Sequence, residues 1–119
     1  MNITLITVSL IGLDIGTGIL AAIKNGTLSS KVAREGLMHK SAYLACILLG
    51  VILDNSSLVI EMGLPMNLAH LACGYICMIE TMSIIENIAL INPELRNSPL
   101  LQIFLTTNEN GNDRRDEHE

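Results

Sequence analysis

Residues 3–23 read ITLITVSLIGLDIGTGILAAI, an apolar run interrupted by a single charge, Asp14. About 20 apolar residues in a helix cross the ~30 Å hydrocarbon layer of a bilayer. A cleaved secretory leader would need a basic start and a small-x-small cleavage site. No Lys or Arg precedes residue 24, and Leu20-Ala21-Ala22 is a poor site, so the run reads as a retained membrane helix. Composition agrees with an aliphatic helical protein. Half of the 119 residues are hydrophobic, yet only 3% are aromatic, and 16% are charged, against about 25% in an average soluble domain.

Two more apolar segments follow. Residues 42–60 (AYLACILLGVILDNSSLVI) are clean for their first turns and then meet Asp54, Asn55, Ser56 and Ser57. Gly50, Asp54, Ser57 and Glu61 recur at helical spacing on one face, which suits protein or water better than lipid. Gly63 and Pro65 mark a turn, and residues 66–91 form a third run that Asn92-Pro93 ends. The expected fold is therefore all-α, an integral membrane protein of about three helices over 3–23, 42–60 and 66–91. Residues 1–105 make one transmembrane domain, in which 95–105 is either a further short helix at the interface or an extension of the third helix, and 106–119 read as a disordered polar tail.

Between the first two runs, residues 24–41 carry Lys24, Lys31, Arg34 and Lys40 against one Glu35. Asn25-Gly26 is a turn signal, and Ser29 or Ser30 caps a short helix. This reads as a short basic loop on the membrane surface. The turn at 54–65 has no Lys or Arg, so the positive-inside rule places 24–41 in the cytoplasm. Three crossings then leave the amino terminus outside and the carboxyl tail inside. A net charge of −5, with no basic run, argues against nucleic acid as a partner.

Polar groups inside the runs are the candidate functional residues. Asp14 sits at the centre of the first helix, where an Asp costs about 2.5–3.5 kcal/mol on insertion scales. Glu80, Ser83 and Asn87 share a face of the third helix, and Glu86 lies off that face. Gly12 and Gly16 form a GxxxG pair, repeated by Gly18 and Ala22, and small faces let helices approach closely. Self-assembly would shelter polar and small surface that three helices alone leave open. His70, Cys73 and Cys77 also share a face, but no fourth ligand is evident and buried Cys usually packs as a small hydrophobe. No nucleotide-binding, hydrolase or metalloprotease motif is present. The reading is of a protein that is not an enzyme and holds no metal or cofactor.

Several of these pieces occur together in a recognisable order. They are Asp14-Ile15-x-Thr17-Gly18, then Lys24-Asn25-Gly26 with Leu28 and Ser30, then Gly36-Leu37 and Lys40, and last Glu80-x-x-Ser83-Ile84-x-Glu86-Asn87 before Pro93. In these, from about residue 10 to about residue 105, the chain resembles the toxin-secretion and phage-lysis holin family. The resemblance implies a small protein that accumulates and oligomerises in the cytoplasmic membrane of a bacterial host. It then permeabilises that membrane so that a muralytic endolysin, or a toxin, escapes, with no catalytic residues. On this reading Asp14, Thr17, Gly50, Asp54, Ser57, Glu80, Ser83, Glu86 and Asn87, with the Gly12/Gly16/Gly18 face, line a hole or hold the assembly. The partners are the bilayer, further copies of the chain and the endolysin. An antiholin that restrains a holin, or a small ion-channel or transporter subunit, is the alternative.

Overall fold

A computed structural model of the chain describes residues 2–56, 61–63, 67–99 and 101–103. It holds three long helices: α1 (Ile3–Asn25), α2 (Ser30–Asp54) and α3 (Leu68–Ile91), followed by a 3-10 helix over Pro93–Asn97. The described residues include no strand. All three helices are long and apolar enough to cross a membrane. The chain is thus an all-α, multi-pass membrane protein. Ser57 and residues 104–119, with the expected polar tail, lie outside the described residues.

Local sequence explains each helix end. Asn2, Ser29 and Asn67 are N-caps whose side chains accept from the backbone N–H of Thr4, Val32 and His70 at 3.1, 3.2 and 3.0 Å. Gly26 closes α1 in the left-handed conformation, with φ 65°. Thr27 N–H then returns to the Ala22 carbonyl at 2.9 Å, a Schellman-type ending. Lys24 donates from Nζ to the Ile91 carbonyl, placing a positive charge at the negative end of α3.

The second helix departs from the sequence expectation. Residues 24–41 are not a basic loop with a helix starting at 42: the α1–α2 connection spans only 26–29, and α2 begins at Ser30. The physical reason is that Ser29 caps a helix that has no cause to stop. The residues after it contain no Pro, and the polar ones find places along a continuous helix. Lys31, Arg34 and Lys40 are therefore α2 residues. Of the 95–105 segment, 95–97 belong to the 3-10 helix that Asn92 caps, residues 99 and 101–103 are helical, and 100, 104 and 105 lie outside the described residues.

α1 and α3 run parallel, with α2 antiparallel and packed mainly on α3. The buried residues of α1 are Thr7, Ile11, Asp14 and Ala21, and those of α3 are Ala69, Cys73, Ile76, Glu80, Ile84, Ile85 and Ala89. Most of these spacings are three, four or seven, which puts them on one face of each helix. The core cluster joins all three helices through Ile11, Ile47, Cys73 and Ile76, with Ile3 and Tyr43 packed against it. Thr7 satisfies its own hydroxyl on the Ile3 carbonyl at 2.8 Å and meets Cys77 Sγ at 3.1 Å. Leu5, Leu13, Leu20, Leu44, Leu48, Leu71 and Met78 point outward. In water such a coat would be an aggregation surface, whereas in lipid it is the solvated face.

Candidate functional site: an ionic triad at mid-membrane

The three helices each place one ionisable residue at the same level. Asp14 is the middle residue of α1, while Lys40 and Glu80 fall within two residues of the centres of α2 and α3. At 1.5 Å per residue these offsets amount to no more than about 3 Å. Lys40 Nζ stands 2.7 Å from Asp14 Oδ2 and 2.5 Å from Glu80 Oε1. One ammonium thus bridges two carboxylates on two different helices, and its other side lies over the Tyr43 ring, 5.4 Å from the centroid.

Asn87 completes the cluster from one end. Its Nδ2 donates to Asp14 Oδ1 at 2.9 Å, and lies 3.3 Å from the Asp14 carbonyl and 3.1 Å from Thr17 Oγ1. Thr17 in turn donates back to the carbonyls of Leu13 and Asp14 at 2.9 and 3.2 Å. Gly18 lies beside this group: a Cβ there would come 3.5 Å from Asn87 Nδ2, an ordinary van der Waals contact. Asp14 is consequently satisfied on both oxygens. Glu80 is not. Its side chain is fully buried, and Oε2 has no hydrogen-bond partner among the described residues.

Burial makes this arrangement costly to break. Removing two charges from water carries a penalty of several kcal/mol per ion, recovered only where geometry and hydrogen bonding are good. The Lys40 side chain is largely buried, and its two carboxylate partners lie on two other helices, 26 and 40 residues away in the chain. The triad is therefore a three-way link between α1, α2 and α3.

The other candidates are placed as follows. Gly50 on α2 is pressed against α3, where a Cβ would lie 2.9 Å from Ala69 Cα. Asp54 accepts from the backbone N–H groups of Leu68 and Ala69, both at 2.8 Å, and so holds the start of α3. Gly12 and Gly16 are exposed, with open space beside them. Ser83 is half-buried on α3, and Glu86 is exposed near its end. Lys31 and Arg34 face outward along an open groove with Glu35, Met38, His39 and Ala42. The structure thus brings Asp14, Thr17, Gly18, Glu80 and Asn87 together. It places Gly50 and Asp54 at a second contact, and leaves Gly12 and Gly16 apart from both.

His70, Cys73 and Cys77 have separate partners. His70 Nδ1 sits 3.0 Å from the Asn67 cap, and Cys73 and Cys77 face Thr4 and Thr7 of α1. Among the described residues no three His, Cys, Asp or Glu side chains form a metal-holding group.

Lys40 is the member that sequence reasoning misplaced. Its charge counted toward a basic loop because no acidic partner lies near it in the chain. The signal available was the Ser29 cap itself: a helix that starts after it and runs to Asp54 is 25 residues long and carries Lys40 within two residues of its centre.

No curated protein and no solved structure gives a match to this chain. Comparison with protein families matches residues 1–99 to the bacteriophage holin family. That match covers the three helices and the whole triad, and with them the chain belongs to the bacteriophage holin family.

Proposed function

We propose that the chain is a holin that accumulates in the cytoplasmic membrane of a bacterial host, assembles with copies of itself, and opens a lesion through which an endolysin passes. The observation that carries this reading is the Asp14–Lys40–Glu80 triad at the centre of three apolar helices. Such a cluster is expensive against lipid and inexpensive against water. At 4 Å, two unit charges attract with about 1 kcal/mol in bulk water, against about 4 kcal/mol at an effective dielectric constant of 20. Water can therefore replace the bonds that hold α2 to α1 and α3. In the packed unit the polar groups face inward and the outer coat is aliphatic, which permits harmless accumulation. When copies crowd, separation of α2 turns Asp14, Lys40, Glu80 and Asn87 toward water, and neighbouring copies supply the remaining wall.

Inducible expression in a bacterial host tests this, with culture density and a potential-sensitive dye followed together and a cytoplasmic endolysin co-expressed in a parallel culture. The expected result is a delayed, abrupt loss of potential, with rapid lysis only where endolysin is present. Loss of potential without endolysin release would replace the protein-passing hole with a small, ion-passing one. Continued growth at full potential, with the protein confirmed in the membrane, would overturn the reading in favour of an antiholin.

A further inference from the structure

We propose that the triad is a proton-binding site: Glu80 carries a proton on Oε2 in the packed three-helix unit, so that the cluster as a whole is neutral. The inference deepens the reading above and rests on the helices spanning a bilayer.

The argument is one of charge and hydrogen-bond inventory. Two carboxylates share one ammonium, so the fully ionised cluster would hold one negative charge in excess. Among the described residues, the groups around Glu80 offer no further positive charge to balance it. From α1 comes Asp14, itself acidic; from α2 come Lys40, already shared, and Tyr43, whose ring lies against Lys40. On α3, Cys77 one turn back is engaged by Thr7, and Ser83 and Asn87 on the same face carry no charge, Asn87 being spent on Asp14. An uncompensated charge in a medium this apolar is far more costly than a neutral polar group, and such sites neutralise by taking up a proton.

The geometry also says which carboxylate takes it. Asp14 has a donor on each oxygen, Asn87 on Oδ1 and Lys40 on Oδ2. Both of its oxygens are therefore already taken as acceptors. Glu80 has Lys40 on Oε1 and nothing on Oε2, which is buried and orphaned. A proton on Oε2 leaves Oε1 as the carbonyl oxygen that accepts from Lys40. It comes from water as the unit packs and returns there when the cluster hydrates. The cluster then gains one net negative charge, which favours the hydrated arrangement and opposes repacking.

Infrared spectroscopy of the full chain tests this in vesicles of phosphatidylethanolamine and phosphatidylglycerol at neutral pH, with carboxyl-labelled glutamate. The expected result is a carbonyl band of a protonated glutamic acid that is lost in Glu80→Gln. In Asp14→Asn the band is also lost, because Glu80 becomes the sole counterion of Lys40 and ionises. Absence of the band in the unmodified protein would overturn the proposal, as would its survival in Glu80→Gln. Its survival in Asp14→Asn would overturn the charge-balance argument. Should Asp14→Asn fail to insert, the unmodified protein and Glu80→Gln still decide the matter. The spectrum does not depend on lysis, so this proposal and the holin reading fail separately.

Discussion

A lysine at mid-membrane is tolerable only while its ammonium faces oxygen, and Lys40 faces two carboxylates from different helices. Deleting one member of a buried ionic cluster costs about 3–5 kcal/mol, because the others are left uncompensated. Lys40→Met is therefore expected to lower the thermal midpoint of the helices in detergent, followed by circular dichroism. The triple variant Asp14→Asn, Lys40→Met, Glu80→Gln carries no charge in the cluster and is expected to recover much of that loss. A Lys40→Met protein that melts like the unmodified one would mean the triad does not hold the fold. Asn87→Leu is a milder change. It leaves Asp14 Oδ1 without its donor and should cost about 1–3 kcal/mol.

At the scale of the helices, what could be read from sequence depended on whether a helix declares itself locally. The spans of α1 and α3 were legible because their apolar runs are long and their ends are marked by Asn2, Gly26, Asn67 and Asn92. The face shared by Glu80 and Asn87 was legible too, since i, i+7 spacing is a property of one helix. The start of α2 was not. Its first eleven residues hold Lys31, Arg34, Glu35, His39 and Lys40, and nothing local tells a charged helix end from a loop. The partner that makes Lys40 acceptable lies 40 residues away on α3. The glycines divide in the same manner, because spacing marks a close-packing face without saying what packs there. Gly50→Ala would drive a Cβ to 2.9 Å from the Ala69 backbone, which cannot yield as a side-chain tip can. The expected cost is about 1–3 kcal/mol. Gly12→Ala and Gly16→Ala meet open space and should leave the melt unchanged, or raise it by up to about 1 kcal/mol. If that face joins copies, chemical crosslinking of the same variants will fall while the melt does not.

For the whole molecule, the parallel α1 and α3 and antiparallel α2 separate two ends of different charge. One end gathers Lys24, Lys31 and Arg34, with Arg96 just beyond α3; the other carries Asp54 and Glu61, with no basic residue in the described turn. The shift of Lys40 from this end to the core reduces the basic count without reversing it, because the remaining three lie within about two turns of the helix ends. The positive-inside rule weighs Lys and Arg close to span ends, so the turn at 26–29 is expected in the cytoplasm and the turn near Met62 outside. Single cysteines in a background free of Cys46, Cys73 and Cys77 test this in intact cells before lysis. Met62→Cys should react with a membrane-impermeant maleimide, and Thr27→Cys should react only after the cells are opened. The reverse pattern would place the basic end outside and invert the topology. If lysis proceeds as proposed, Thr27→Cys should also become reactive at the moment the potential collapses, once the lesion admits the reagent. That second change ties topology to function, because a chain that merely spans the membrane would leave Thr27→Cys protected throughout.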